Sequence, residues 1–133
     1  MIFDEKLERI TGVLDWEMTT IGDPLMDLGT SLAYWTTSED PAPNQQLPFG
    51  PTAHPAMLDR AEIARLYLER SGRSTDALVF YYAFGLLKVA VIAQQIYYRF
   101  AKGLTTDPRF GMFIIATKLL AEQARSSIEK NSI

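Results

Sequence analysis

The stretch GVLDWEMTTIGDPLMDLG, Gly12 to Gly29, places four acidic residues among apolar neighbours around a central Gly-Asp-Pro. Asp23 is suited to cap a helix, and Pro24 fits the first helical position, where a backbone N–H would have no intrahelical partner. Apolar residues then recur at helical spacing at Leu25, Leu28, Leu32 and Trp35. The stretch therefore predicts an apolar strand that ends near Asp15, followed by a helix from Asp23 to about Thr36.

The rest of the chain predicts a short N-terminal β-hairpin followed by a helical bundle. Ile2-Phe3 and the apolar run RITGVLDW, joined by the polar DEKLE, indicate a hairpin over residues 1–16. We expect the bundle over residues 23–133, with an irregular loop at 37–55 that holds five of the seven prolines. Further helices are predicted after the capping box of Asp59 and Glu62, over about 76–101, and after Asp107-Pro108. The expected fold class is mainly α with a short β-hairpin.

Composition limits the classes of protein to consider. The chain has 133 residues, of which 47% are hydrophobic, and this predicts a single domain over residues 1–133. A net charge of −3 gives no basic surface for nucleic acid, and the absence of cysteine excludes disulfides and zinc-thiolate sites. The longest apolar run is interrupted by Lys88, Gln94 and Gln95, which favours a buried helix over a membrane span. We expect a cytoplasmic protein without a membrane partner.

The acidic residue with the clearest chemical use is Asp15. Magnesium in nucleotide sites is bound through one or two carboxylates together with substrate phosphates, so a single Asp at a strand end can serve as the protein ligand. The alternative is that Asp15 only caps a turn before the helix. Spacing alone favours the turn cap.

Two segments resemble a known family. The segment GVLDWEMTTIGDPLMDLGTSLAYW resembles the region after the catalytic loop of the aminoglycoside phosphotransferase (APH) family, kinase-like enzymes that phosphorylate small-molecule hydroxyls. The segment YYAFGLLKVAVIAQQIYYRFAKG resembles the long helix of the branch that is fused, in some animal proteins, to acyl-CoA dehydrogenases. The resemblance covers nearly the whole chain. It implies the C-terminal helical subdomain of a protein-kinase-like fold.

The resemblance also implies roles for individual residues. Asp15 matches the family's magnesium-binding Asp, so Mg²⁺ and ATP are the implied cofactors. Asp23 matches the Asp of Gly-Asp-Pro, and Asp27 matches an Asp that supports the catalytic loop, so both are expected to have supporting structural roles. Three polar residues of the long helix line up with positions that can face the acceptor, namely Lys88, Gln94 and Arg99. A solvated helix edge would show similar spacing.

The sequence departs from the family pattern at its start. The family's catalytic loop, His-Gly-Asp, four residues and Asn, leads into a strand much like MIFD, so its Asp and Asn would precede Met1. The 133 residues also contain no Gly-rich phosphate loop. No catalytic and no nucleotide-binding residue is therefore assigned. We expect a truncated C-terminal lobe that is inactive alone and that forms a homodimer or higher oligomer through its exposed surface.

Two other functions stay open. The chain can be a non-catalytic, oligomeric helical module of unknown role, which the missing catalytic loop favours. It can also be a hydrolase that uses Asp15 and Glu17, because residues two apart on a strand point to one face. Within the APH family the acceptor is unknown, although the acyl-CoA dehydrogenase branch favours a hydroxyacyl or related substrate.

Overall fold

The computed structural model describes residues 1–133, except for the side chain of Met18. An antiparallel hairpin of β1 (Ile2–Phe3) and β2 (Ile10–Gly12) precedes the helices. The helices are α1 (Pro24–Ala33), α2 (Ala42–Gln45), α3 (Arg60–Ser71), α4 (Leu78–Ala101) and α5 (Phe113–Lys130). Two 3-10 turns, Trp16–Met18 and Pro108–Met112, lie before α1 and α5. The predicted fold class, mainly α with a short N-terminal hairpin, is confirmed.

The helix ends follow the local signals of the sequence. The Asp23 carboxylate caps α1 by accepting a hydrogen bond from the Leu25 N–H at 2.9 Å. At the start of α3, Asp59 and Glu62 form a reciprocal capping box. Gly72 ends this helix with φ 64°, a left-handed conformation that costs glycine little. These caps confirm the predicted starts of both helices.

The long loop after α1 differs from its prediction in two ways. Helix α1 ends at Ala33 and not near Thr36, because the following backbone bonds to other partners: the Thr36 N–H donates to the Thr52 hydroxyl at 2.9 Å. The region predicted to be irregular contains the single-turn helix α2, which starts after Pro41. Pro43 is compatible with the first turn of a helix, where its missing N–H costs nothing.

Helix α4 lies at the centre of the bundle and packs against α1 and α5. The largest fully buried side chains are Leu32 of α1, Tyr82 and Leu86 of α4, and Leu120 of α5. Helices α1 and α4 touch through their backbones, because Gly29 lies against the Tyr81 carbonyl and Gly85 against the Gly29 carbonyl. By length and composition alone α4 could also cross a membrane, with mean hydropathy 1.5 and a third of its apolar window buried.

A buried polar network fixes the long loop to the bundle. The Arg60 guanidinium is paired with the Asp40 carboxylate, and both side chains are over 90% buried. The Asp40 carboxylate also accepts from the Thr37 N–H at 2.8 Å. Gln123 of α5 donates to the Tyr82 hydroxyl at 2.8 Å and accepts from Asn44 at 3.0 Å. No buried polar side-chain atom among the described residues lacks a hydrogen-bond partner.

Residues 1–22, which we call the arm, are separate from this bundle. In the part of the chain that the structure describes, neither strand of the arm nor its 3-10 turn packs against a helix. Among the described residues, no hydrogen bond joins the arm to a residue beyond Asp23. The predicted hairpin over 1–16 is shorter than expected, because β2 ends at Gly12. Strand pairing is extended by contact with further strands or with a core. Among the described residues this sheet has only two strands, and no helix packs against it.

Candidate functional site

Asp15 lies three residues beyond β2, and the prediction that it ends a strand is wrong. It precedes the 3-10 turn Trp16–Met18 with φ 67° and ψ 39°, a left-handed conformation in which non-glycine residues are uncommon. Its side chain makes no capping hydrogen bond and is exposed. Asp15 therefore has the position of a turn cap, while its carboxylate remains available to a ligand.

The 3-10 turn also removes the basis for a carboxylate pair. The hydrolase alternative required Asp15 and Glu17 on one face of a strand, but Glu17 lies inside the turn. The turn is closed by the Thr19 N–H, which donates to the Trp16 carbonyl at 3.0 Å. The Trp16 indole N–H donates to the Val13 carbonyl at 2.7 Å. The strand geometry that favoured a hydrolase is absent from this segment.

Asp23 is held by two elements at once. One carboxylate oxygen caps α1, and the other accepts a hydrogen bond from the Tyr81 hydroxyl of α4 at 2.7 Å. The Tyr81 bond is the main reason that the pKa of Asp23 is lowered, followed by the bond from the Leu25 N–H. The same contact raises the pKa of Tyr81. This carboxylate anchors the junction between the arm and the bundle.

The other acidic and polar candidates lie on the outer surface of α1 and α4. Asp27 is exposed, opposite the buried leucines of α1. The Lys88 ammonium donates to the Thr30 hydroxyl at 3.2 Å, one helical turn along α1 from Asp27. Lys88 is therefore brought to the exposed side of α1.

The three predicted acceptor-facing residues do not converge. Lys88, Gln94 and Arg99 are all exposed on α4. At 100° per residue, Lys88 and Arg99 share one face of the helix, whereas Gln94 lies about 120° away around the axis. Lys88 and Arg99 are also about 16 Å apart along the helix, since each residue rises about 1.5 Å. One small acceptor cannot contact all three in this arrangement.

The acidic residues do not form a ready ligand cluster. Among the described residues, no group of three or more His, Asp or Glu side chains could hold a metal ion together. Asp15 alone fits magnesium in the manner of nucleotide sites, where one or two protein carboxylates are completed by phosphate oxygens and water. The exposed Asp15 carboxylate can therefore supply one protein ligand to a magnesium ion, and the remaining ligands would have to come from phosphate oxygens and water.

Two polar features of the structure are not predicted by the sequence. Tyr81 is separated from Asp23 by 58 positions, and nothing in the sequence predicts their contact. The buried network around Arg60 and Asp40 borders a cavity of about 470 Å³ between the long loop and α5. Such networks link residues far apart in sequence, so that only the tertiary structure reveals them.

Comparison with known proteins decides the family. Residues 1–63 match the APH model, described as "Phosphotransferase enzyme family". Over 92% of its length the chain is 32% identical to human acyl-CoA dehydrogenase family member 11. Over 93% of its length it is 33% identical to mouse acyl-CoA dehydrogenase family member 10. The chain belongs to the APH phosphotransferase family. No solved structure matches it significantly.

The APH chain spans only a small part of these relatives. It covers 16% of human member 11 and 12% of mouse member 10. The family model ends within α3, so that Asp15, Asp23 and Asp27 all lie inside the matched region. Helices α4 and α5 lie outside that region, and the similarity to the acyl-CoA dehydrogenase family members extends over them. Membership of the APH family, in the branch fused to acyl-CoA dehydrogenases, agrees with the sequence prediction.

Proposed function

We propose that this chain is the C-terminal subdomain of an ATP-dependent small-molecule phosphotransferase, in which Asp15 is the magnesium ligand. The observation that carries the proposal is the position of Asp15: an exposed carboxylate without a capping bond, within the region that matches the family model. The available carboxylate is what a nucleotide-metal site requires of the protein.

Each acidic residue has a separate task in this proposal. Magnesium, when bound, would offset the charge that develops on the transferred phosphoryl group. Asp15, which precedes the 3-10 turn of the arm, would hold the metal. Asp23 fixes the position of the adjoining turn against α1 and α4 through its two hydrogen bonds. Asp27, exposed on α1, would support the catalytic loop of the whole kinase.

The proposed acceptor is a hydroxyacyl compound, such as a hydroxyacyl-CoA thioester. The relatives supporting this choice are named acyl-CoA dehydrogenase family members, enzymes whose names refer to acyl-CoA substrates. A kinase domain in the same polypeptide as an acyl-CoA dehydrogenase would be expected to act on a chemically related substrate. Lys88 of α4, which donates to Thr30 of α1, is the candidate to contact an acidic group of this acceptor.

We further propose that the 133-residue polypeptide does not transfer phosphate by itself. Phosphoryl transfer depends on positioning several groups together, including a catalytic Asp, an Asn and a phosphate-binding loop. Asp15 supplies only one of these parts.

The deciding experiment is calorimetric titration of magnesium alone and of MgATP into the 133-residue chain. Binding of MgATP that Asp15→Asn abolishes would support a nucleotide-metal site at this residue. Asp76→Asn is the matched control, because Asp76 is also an exposed aspartate but lies in the loop before α4. MgATP binding that is unchanged in Asp15→Asn would contradict the role given to Asp15.

Activity is tested separately from binding. The chain is incubated with MgATP and hydroxybutyryl-CoA, choline or an aminoglycoside, and transfer of labelled γ-phosphate is measured. We expect no transfer to any acceptor. Efficient phosphorylation of one of them would overturn the proposal that the polypeptide is inactive alone and would identify its substrate class.

A further inference from the structure

The arm exposes an unusual amount of apolar surface. Leu14 is 58% exposed and Trp16 is 66% exposed, although both are large apolar side chains. Other exposed apolar residues of the arm are Met1, Ile2, Phe3, Leu7, Ile10, Val13 and Ile21. The bundle covers none of them, because no helix packs against the described residues of the arm. Exposed apolar side chains concentrated in one segment indicate a site of interaction.

A second apolar surface runs along α4. Its buried side carries Tyr82, Leu86 and Val89, whereas Phe80, Leu87, Val91 and Tyr98 are exposed. At 100° per residue these four exposed residues fall within about 40° of one another and form a stripe about 27 Å long. We call it the α4 stripe. It lies on the side of α4 away from α1 and α5.

The charges of the two surfaces are opposite. The arm contains five acidic and two basic side chains, for a net charge of −3. Helix α4 contains Lys88 and Arg99 and no acidic residue. Both cations lie to one side of the α4 stripe, about 60–120° around the helix from its residues. An arm placed on the stripe would therefore pair unlike charges at the edge of an apolar contact.

We propose that two copies of this chain form a dimer in which the arm of each lies on the α4 stripe of the other. The exchange covers both apolar surfaces and gives two identical contacts related by a twofold axis. A dimer formed through the two arms would bring two net charges of −3 together. A dimer formed through the two α4 stripes would bring two basic helices together. Charge repulsion therefore disfavours both alternatives. This interface does not depend on the proposed phosphotransferase function.

The first test measures association of the 133-residue chain by sedimentation equilibrium over a range of concentrations. We expect a reversible dimer. Leu14→Lys in the arm and Val91→Glu in the α4 stripe should each raise the dissociation constant by about tenfold or more, because each buries an added charge beside a like charge. Ile128→Glu is the matched control, since Ile128 is exposed on α5 outside both surfaces. It should dimerise as the unchanged chain does.

The second test mixes the two defective variants. In an exchanged dimer, one contact of the mixed pair joins an intact arm to an intact stripe, and the other joins the two substituted positions with opposite added charges. The mixture should therefore dimerise more tightly than either variant alone. Failure of the mixture to recover would overturn the exchange, and so would a dimer that only one of the two substitutions weakens.

Folding and other occupants are controlled in the same experiments. Far-UV circular dichroism of each variant should match that of the unchanged chain, and Leu87→Glu tests the stripe at a second exposed position if Val91→Glu does not fold. A chain that is monomeric at every concentration would overturn the proposal. If that monomer also bound phosphatidylglycerol vesicles, the apolar surfaces would be assigned to a lipid surface instead.

Discussion

Tyr81 and Asp23 link α4 to the start of α1 through a single side-chain hydrogen bond. This bond is the largest cause of the lowered pKa of Asp23, whose ordinary value is 3.8. A carboxylate whose pKa is lowered by folding makes its full contribution to stability at pH values above the pKa that the group has in the unfolded chain. The contribution is lost as the pH falls through the lowered pKa, because the unfolded state then binds more protons.

Replacing Tyr81 by Phe should therefore raise the pKa of Asp23 toward its ordinary value and reduce the loss of stability in acid. Carboxyl ¹³C titration by NMR measures the pKa, and urea unfolding between about pH 6 and about pH 2 measures the stability. Tyr97→Phe is the control, since it removes a phenol from the same helix about 24 Å along its axis from Tyr81. An unchanged pKa of Asp23 in Tyr81→Phe would contradict the contact.

Two arginines of α3 allow a second comparison between single residues. Arg60 is buried with its partner Asp40, whereas Arg65 and Glu69 form an exposed pair at 3.2 Å. Arg60→Leu should lower the free energy of unfolding by about 3 kcal/mol or more, because it leaves a buried carboxylate without its partner. Arg65→Leu should cost less than about 1 kcal/mol, as exposed pairs do. Urea denaturation of both variants measures these two losses of unfolding free energy. Equal losses would contradict the explanation from the difference in burial.

At the scale of elements, the crossing of α1 and α4 depends on two glycines. A Cβ on Gly29 would overlap the Tyr81 carbonyl, and a Cβ on Gly85 would overlap the Gly29 carbonyl. Alanine at either position should destabilise the chain by about 2–3 kcal/mol, because the overlap outweighs the gain of about 1 kcal/mol in helix propensity. Gly22→Ala is the control, because a Cβ there meets nothing. Destabilisation of Gly22→Ala by the same amount would contradict the explanation.

The same elements show what could be predicted from the sequence. Caps involve residues within a few positions of one another, so that Asp23 and Asp59 predicted the starts of their helices. Strand β2 was predicted too long, because a strand is stabilised by its neighbours and this hairpin has no third strand or helix against it. The contact of Asp23 with Tyr81 and the network around Arg60 depend on packing between distant segments.

The candidate site divides in the same way. The motif predicted the family and the acidic residues, but the family comparison does not test which of those residues binds a metal. The left-handed backbone and uncapped side chain of Asp15 were not predicted, because the apolar run GVLD favours a strand in the absence of tertiary contacts. Lys88, Gln94 and Arg99 aligned with family positions in sequence, and the geometry of the helix separates Gln94 from the other two.

At the scale of the whole molecule, the bundle should fold independently of the arm. Among the described residues, no hydrogen bond links the arm to residues beyond Asp23, and the Asp23 cap of α1 uses no residue of 1–22. At low concentration, a chain lacking residues 1–22 should therefore unfold at nearly the same temperature as the full chain. A large decrease would show that the arm packs against its own bundle in solution.

Concentration separates folding of the bundle from association through the arm. Because dimer formation stabilises only the folded state, the unfolding temperature of the full chain should rise with protein concentration. The chain lacking residues 1–22 has no arm to exchange, so its unfolding temperature should stay constant over the same range. Differential scanning calorimetry at several concentrations measures both. A rise in both chains would assign association to the bundle itself, whereas a rise confined to the full chain would locate it in the arm.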